Sequence, residues 1–131
     1  MRQVLNRTGQ NPDSIGHIHA HGLGTWKSDI DEAQAIHEVF GEAGSHTPVV
    51  AARSHLAHTA AGAGALDLVS SLLAMQSGRL FPVLNYRVPD PACPVQPVVS
   101  GDDDPAGQSF LNLSILGRGL ASCVAVGAYA A

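Results

Sequence analysis

Three histidines at alternate positions are the first residues in this sequence whose types and spacing suggest chemistry. They are His17, His19 and His21, in the segment HIHAHGLGT. An extended strand would direct all three imidazoles to one face of a sheet, and imidazoles that converge on one face can hold zinc or iron. One interpretation is therefore a metal-dependent hydrolase. The other is that His17 and His19 are half-exposed strand residues without a chemical role.

A metal site would need a further ligand, and no recognisable partner motif supplies one. Glu32, Asp29 and His37 carry suitable side chains, but only the tertiary fold would bring any of them to the histidines. We therefore expect no metal ion and no other cofactor in this protein.

A second pair of histidines, His55 and His58, lies in the segment RSHLAHT, before a stretch rich in Ala and Gly. A histidine just before a helix lies near the positive end of the helix dipole, which disfavours the imidazolium form. A neutral imidazole can donate its N–H to a carbonyl oxygen and stabilise an enolate. The alternative is that His58 is a simple helix cap. Because His21 and His58 each follow a predicted strand and have small neighbours, we favour the chemical role for both.

The spacing of apolar residues predicts the elements that position these histidines. Helices are expected over residues 1–9, from Ser28 or Asp29 to Phe40, and from Thr59 to Gln76. Strands are expected over residues 14–21, 48–52, 95–99, 109–115 and 120–129. This order predicts one α/β domain over residues 1–131 with a mixed sheet. Gly22 and Gly24 would shape the loop after the first strand, and Gly62 and Gly64 would let a neighbouring element approach the last helix.

Composition excludes several classes of protein. Of the 131 residues, 45% are hydrophobic and 14% charged, and the net charge of −4 includes no basic cluster. We therefore expect no nucleic-acid partner. No apolar run is long enough to cross a membrane. The polar N-terminus does not resemble a secretory signal, and the two cysteines fit a reducing cytoplasm.

The two histidine segments resemble the C-terminal half of the chain-elongating β-ketoacyl-[acyl carrier protein] synthases. The family pattern is a His-Gly-Thr-Gly-Thr loop, an Asp-x-x-Glu-Ala helix start, a Lys-Ser-x-x-Gly-His turn and a Pro-x-x-Asn-x-x-x-Pro-Asp stretch. The matching residues are His21-Gly22, Gly24-Thr25, Asp29, Glu32-Ala33, Ser54, His58, Pro82, Asn85 and Pro89-Asp90. The resemblance covers nearly the whole chain in one order. It implies the C-terminal half of the thiolase-like fold, a mixed sheet packed with helices.

The resemblance also implies an activity, the decarboxylative Claisen condensation of an acyl thioester with malonyl-acyl carrier protein in fatty acid or polyketide biosynthesis. His21 and His58 would donate hydrogen bonds to the malonyl thioester oxygen. The residues Gly22, Gly24 and Thr25 would shape the approach for the phosphopantetheine arm of the acyl carrier protein. Glu32 would pair with Arg53, which stands where the family has lysine.

The nucleophilic cysteine of the family belongs to its N-terminal half. Cys93 follows Pro-Ala in a proline-rich loop and Cys123 lies in a predicted core strand, so neither occupies a strand-to-helix turn that would lower the pKa of a thiol. We therefore expect this chain to be inactive alone and to need a Cys-bearing N-terminal half. An isolated half would expose an apolar face around residues 59–77, which predicts a dimer or another homo-oligomer.

Three departures from the family pattern favour an alternative, a non-catalytic partner comparable to the chain-length subunits that pair with active synthases. Arg53 keeps the charge of the lysine but cannot lose a proton. Ala57 replaces the glycine before the second histidine. The segment Ile115–Gly119 replaces a Gly-Phe-Gly-Gly loop whose Phe gates the acyl pocket, and it places Arg118 there instead.

Overall fold

The computed structural model describes residues 1–41, 46–101, 103–116 and 119–128. The helices in these ranges are α1 (Arg2–Thr8), α2 (Trp26–Phe40), α3 (Arg53–Leu56) and α4 (Ala63–Ser77). The strands are β1 (His17–His19), β2 (Pro48–Val50), β3 (Gln96–Pro97), β4 (Ser109–Leu116) and β5 (Leu120–Gly127). Short 3-10 turns cover Pro12–Ser14 and Ala60–Gly62.

The central strand of the sheet is β1, and the strand order is β3-β2-β1-β4-β5. It pairs in parallel with β2 and with β4, and β2 pairs in parallel with β3. Strands β4 and β5 form an antiparallel hairpin. The predicted mixed sheet is therefore confirmed. Because β1, β2 and β4 run in the same direction, their carboxyl ends meet at one edge, where His21 and the loop after β1 lie.

The two faces of the sheet differ because successive side chains alternate along each strand. One face packs against α1 and α2 through an apolar cluster. Its members include Leu5, Ile15, Ile18, Ala20, Ile36, Phe40, Val49, Leu111 and Leu113. The opposite face carries the imidazoles of His17 and His19, which reach Ser71 of α4. Strand β1 therefore contributes apolar side chains to one layer and imidazoles to the other.

Helix α4 is small or polar on its buried side and apolar on its exposed side. The buried residues, at helical spacing, are Ala63, Asp67, Ser71 and Ala74. The exposed ones are Leu66, Val69, Leu72 and Leu73, with 41% to 58% of their surface accessible. The apolar surface expected around residues 59–77 is therefore present. None of the helices in the described ranges combines the length and the hydropathy needed to cross a bilayer.

Two helix starts differ from the predictions. Helix α2 begins at Trp26 with Thr25 as its N-cap, earlier than the expected start after Ser28 or Asp29. Asp29 therefore lies within the first turn instead of capping it, and its carboxylate accepts the N–H of Gly24 at 3.2 Å. Helix α4 begins at Ala63, because the residues before it form a 3-10 turn.

Strand β1 covers only His17–His19 and is shorter than the predicted 14–21, because a 3-10 turn ends at Ser14. The ends of two helices agree with the sequence. Helices α1 and α4 end at Gly9 and Gly78, whose φ values of 66° and 78° are left-handed. The short helix α3 stands where the end of a strand was expected. Strand β5 ends at Gly127 within the described residues, and Tyr129, the predicted end, lies outside them.

The expected close approach at Gly62 and Gly64 is wrong. Among the described residues, a Cβ atom at Gly62 would meet nothing within 4 Å, and one at Gly64 would meet only the Ser114 Oγ, at an ordinary 3.8 Å.

Candidate active site

The ring of His21 lies just beyond the end of β1 and is fixed by the backbone of β4. Its Nδ1 accepts the N–H of Ile115 at 3.2 Å. Because a backbone amide can only donate, Nδ1 carries no hydrogen, and the neutral ring has its hydrogen on Nε2. No described residue forms a hydrogen bond with that Nε2. His21 therefore offers one N–H donor with a defined direction.

The surroundings of His21 favour the neutral form of its ring. Burial lowers the pKa of the imidazole, and the positive Arg53 guanidinium lowers it further, while Asp67 partly offsets these effects. A neutral ring keeps Nδ1 available as the acceptor for Ile115, so the charge state and the hydrogen bond support each other.

His58 lies next to His21. Their ring centroids are 6.1 Å apart and their planes are inclined by 66°. His58 is exposed and follows α3, four positions before Gly62, the N-cap of α4. It is therefore not at the first turn of α4, so both the simple cap and the helix-dipole argument are wrong for this residue. What the structure does bear out is the proximity of the two histidines.

A cavity of about 660 Å³ opens beside His58 and the loop that follows His21. Its lining includes Gly22, Gly24, Arg53, His58 and Asn85, so it draws on each of the motif segments recognised in the sequence. Thr25 is not part of the lining and serves instead as the N-cap of α2.

The loop after β1 needs its glycines. Gly22 and Gly24 have φ values of 50° and 79°, in the left-handed region. A Cβ atom at Gly22 would also lie only 2.8 Å from the Cβ of Ala51. The prediction that these glycines shape the loop is confirmed.

Glu32 fixes the backbone at the point where His21 leaves the sheet. Its two carboxylate oxygens accept the N–H groups of His21 at 2.7 Å and of Gly22 at 2.9 Å. Burial raises the pKa of this carboxyl group, and the two amide donors oppose that rise. The expected ion pair between Glu32 and Arg53 is wrong: the Glu32 oxygens bind backbone amides, and the ion pair of Arg53 is formed with Asp67.

Arg53 pairs instead with Asp67 of α4. Its Nη2 lies 2.8 Å from Asp67 Oδ2, and both side chains are almost fully buried. Its Nη1 donates to the carbonyl oxygen of His21. Glu32 and Arg53 therefore hold the backbone N–H and C=O of His21 from two sides.

Asp67 is the site residue that the sequence reading missed. A usable signal was present, since Asp67 is the only charged residue between Thr59 and Gly78. A single acid in an apolar helix indicates a buried cation as its partner, and Arg53 is the basic residue of the neighbouring histidine segment.

His17 and His19 are fully buried, so the half-exposed interpretation is wrong. All four of their ring nitrogens lie within hydrogen-bond distance of protein atoms. Of the other proposed ligands, Glu32 binds backbone amides and His37 is exposed on α2. Within the described ranges, no group of three or more His, Cys, Asp or Glu side chains is placed to hold a metal. These contacts give no support to the metal-dependent hydrolase.

Neither cysteine is placed to act as a nucleophile. Burial raises the pKa of the Cys93 thiol, with nearby Asp90 and Asp29 adding to the effect. Burial also raises the pKa of Cys123, which lies on β5. A thiol with a raised pKa carries less thiolate at neutral pH.

Two departures from the family pattern have structural counterparts. Ala57 has φ 59° and ψ −175°, a backbone conformation that suits glycine and strains a residue with a side chain. Of the segment Ile115–Gly119, Ile115 supplies the amide that fixes His21. Gly117 and Arg118 lie outside the described residues.

Comparison with known proteins decides the family. Residues 1–87 match the family model of the β-ketoacyl synthase C-terminal domain. The chain belongs to this family. The nodulation protein E of Rhizobium leguminosarum bv. trifolii is a relative of this ketosynthase domain, 39% identical over 93 residues, which are 71% of the chain and 23% of that protein.

Solved ketosynthase structures have the same fold. The ishigamide ketosynthase/chain length factor superposes with a TM-score of 0.90 at 31% identity, over 98% of this chain and 32% of that one. A type II polyketide ketosynthase in complex with its acyl-carrier protein gives a TM-score of 0.92 at 28% identity, with the same coverage of 98% and 32%. The thiolase-like fold is therefore confirmed. This ketosynthase domain spans about a quarter of the nodulation protein and about a third of these two solved chains.

Proposed function

We propose that this chain is the C-terminal half of a 3-oxoacyl-[acyl carrier protein] synthase and supplies the hydrogen-bond donors for decarboxylative condensation. The observation that carries the proposal is the hydrogen bond from the Ile115 amide to His21 Nδ1 at 3.2 Å, which leaves the Nε2 hydrogen for a substrate. A donor with a fixed direction is what a developing oxyanion requires.

In the proposed reaction, the malonyl thioester loses its carboxylate as carbon dioxide. The electron pair of the broken C–C bond moves into the thioester, and negative charge develops on its oxygen. His21 and His58 donate to that oxygen. The resulting enolate carbon attacks an acyl thioester held on a cysteine, a new C–C bond forms, and the cysteine thiolate leaves.

We propose that the cysteine comes from an N-terminal half. That half would cover the exposed apolar face of α4, formed by Leu66, Val69, Leu72 and Leu73. The limited coverage of the matched proteins supports this, since about two thirds of each of them lies outside the match. Without that half, the same face would drive association between copies of this chain. Light scattering on the isolated chain tests this, and a monomer at high concentration would contradict it.

We propose an acyl carrier protein as the substrate-bearing partner. The phosphopantetheine arm would enter through the 660 Å³ cavity beside His58, over the loop that contains Gly22 and Gly24. One structural relative is a ketosynthase in complex with its acyl-carrier protein, which supports this assignment.

The experiment assembles the chain with a Cys-bearing N-terminal half and follows carbon dioxide release from malonyl-acyl carrier protein. His21→Ala and His58→Ala should each reduce the rate strongly. His37→Ala is the matched control, because His37 is exposed on α2, away from the site, and the rate should not change. A wild-type assembly that releases no carbon dioxide would overturn the proposal.

A non-catalytic partner role is the second candidate. It is favoured by Arg53, which replaces the family lysine and is held in a buried ion pair, and by the relative that contains a chain length factor. In this role the His21→Ala and His58→Ala variants would leave the activity of the complex intact. Loss of turnover in either variant would exclude it.

A further inference from the structure

A buried hydrogen-bond chain crosses the sheet face beside the site. The Ser71 hydroxyl of α4 lies 2.9 Å from His17 Nε2 and 2.7 Å from His19 Nδ1. At one end, His17 Nδ1 is 2.7 Å from the carbonyl oxygen of Ala106. At the other end, the N–H of Ala52 donates to His19 Nε2 at 3.1 Å.

Only one arrangement of hydrogens satisfies every link of this chain with neutral rings. The Ala106 carbonyl can only accept, so His17 carries its hydrogen on Nδ1, and the Ala52 amide can only donate, so His19 Nε2 carries none. His19 then donates from Nδ1 to Ser71, and the single Ser71 hydroxyl hydrogen goes to His17 Nε2. Both rings are fixed in the Nδ1–H tautomer.

The His19 end of the chain meets the buried ion pair. His19 Nε2 lies 3.5 Å from Asp67 Oδ1, while Asp67 Oδ2 lies 2.8 Å from Arg53. Because this Nε2 presents a lone pair and no hydrogen, His19 does not compete with Arg53 for Asp67. The same lone pair binds the amide of Ala52, the residue that immediately precedes Arg53 at the start of α3.

We propose that His19 is a positioning residue for the site, acting through Arg53. Its tautomer, set by Ser71 and His17, anchors the backbone before Arg53 and leaves Asp67 to that guanidinium. Arg53 in turn holds the carbonyl of His21. The catalytic meaning of this arrangement rests on the proposed function, whereas the arrangement itself does not.

Nitrogen-15 NMR on the wild-type chain tests the proposed tautomers of His17 and His19 directly. Correlations between the ring nitrogens and ring hydrogens distinguish the two neutral tautomers of a histidine. We expect His17 and His19 to carry their hydrogens on Nδ1. A hydrogen on Nε2 of His19 would overturn the proposal, whatever the variants show.

Two substitutions at His19 separate its two hydrogen bonds. In His19→Gln, the side-chain oxygen takes the place of Nε2 and still accepts the Ala52 N–H. In His19→Asn, the side-chain amide takes the place of Nδ1, so the contact with Ser71 is kept and the acceptor for Ala52 is lost. We expect separate Nη signals for Arg53 in the wild type and in His19→Gln, and their merging in His19→Asn. Unchanged Arg53 signals in His19→Asn would contradict the proposal.

The same two variants, assembled with a Cys-bearing half, give the catalytic readout. His19→Asn should lower kcat by about tenfold with little change in KM, because supporting contacts around a site typically carry effects of this size. His19→Gln should restore most of the rate. Equal rates in both variants would overturn the positioning role. An inactive wild-type assembly would instead overturn the proposed function and leave the tautomer measurement standing.

Discussion

His21 and Ile115 are joined by a hydrogen bond of 3.2 Å between the ring Nδ1 of one and the backbone amide of the other. The bond connects His21, two positions beyond the end of β1, to β4, the parallel strand next to β1. It determines which nitrogen of His21 carries the hydrogen, so the sheet itself sets the chemistry of the ring.

This bond predicts how His21 titrates. Protonation would place a hydrogen on Nδ1 and break the contact with Ile115, and burial together with Arg53 already lowers the pKa of the ring below the ordinary 6.5. An NMR titration should therefore give His21 a lower pKa than the histidines of the urea-unfolded chain. A His21 pKa at or above the unfolded value would contradict this.

The Arg53–Asp67 pair predicts a large stability difference between two similar substitutions. Asp67→Asn leaves the buried guanidinium without its carboxylate and should reduce the free energy of unfolding by about 3 kcal/mol. Asp31→Asn is the control, because Asp31 pairs with Lys27 at 3.0 Å on the exposed surface of α2. That change should cost less than about 0.5 kcal/mol. Denaturant unfolding of both variants measures the difference, and equal costs would show that the buried pair is not needed.

The backbone of Ala57 predicts a stabilising substitution. Its φ of 59° strains any residue with a Cβ, so Ala57→Gly should raise the melting temperature and add about 1 kcal/mol of stability. Ala65→Gly gives the opposite sign, a loss of about 1 kcal/mol, since Ala65 is exposed within α4. If both changes destabilised the chain, the strain at Ala57 would be refuted.

His17 makes folding sensitive to acid. Burial lowers the pKa of His17 from 6.5 to about 4. The unfolded chain therefore binds a proton that the folded chain rejects, and stability is lost as the pH falls from 6.5 towards 4. At about 1.4 kcal/mol per pH unit, the total is about 3 kcal/mol. His17→Asn retains a donor for the Ala106 carbonyl without the titration, so its unfolding free energy should fall less steeply over this range. Parallel slopes would contradict the assignment.

The loop after β1 predicts different stability costs for replacing Gly22 and Gly24 by alanine. Both have positive φ, but only a Cβ at Gly22 would approach another atom closely, the Ala51 Cβ at 2.8 Å. Gly24→Ala should cost about 1 kcal/mol from the backbone alone, and Gly22→Ala should cost at least about 1 kcal/mol more because of the added clash. Chemical unfolding of the two variants provides the comparison.

Local patterns were enough to predict much of the fold. The helices ending at Gly9 and Gly78 follow from glycine at left-handed positions, and the β4–β5 hairpin follows from two apolar runs around a turn. The family motifs predicted that His21 and His58 lie close together, and the structure agrees.

The partners of the buried charges could not be predicted locally. Glu32 and Asp67 are both acids near Arg53 in the folded chain, and the choice between them depends on which side of the sheet each carboxylate reaches. Glu32 accepts hydrogen bonds from the amides of His21 and Gly22, and Arg53 forms its ion pair with Asp67. The burial of His17 likewise depends on Ser71, which is 54 residues away along the chain.

The inverted polarity of α4 also has a consequence for biosynthesis. The exposed leucines of α4 can cause aggregation as soon as the helix leaves the ribosome, because chains with exposed apolar surface aggregate. If the proposed N-terminal half is encoded upstream on the same polypeptide, it would already be folded when α4 is synthesised. A half encoded on a separate gene would have to be found by diffusion, and its supply would then set how much of this chain survives as soluble protein.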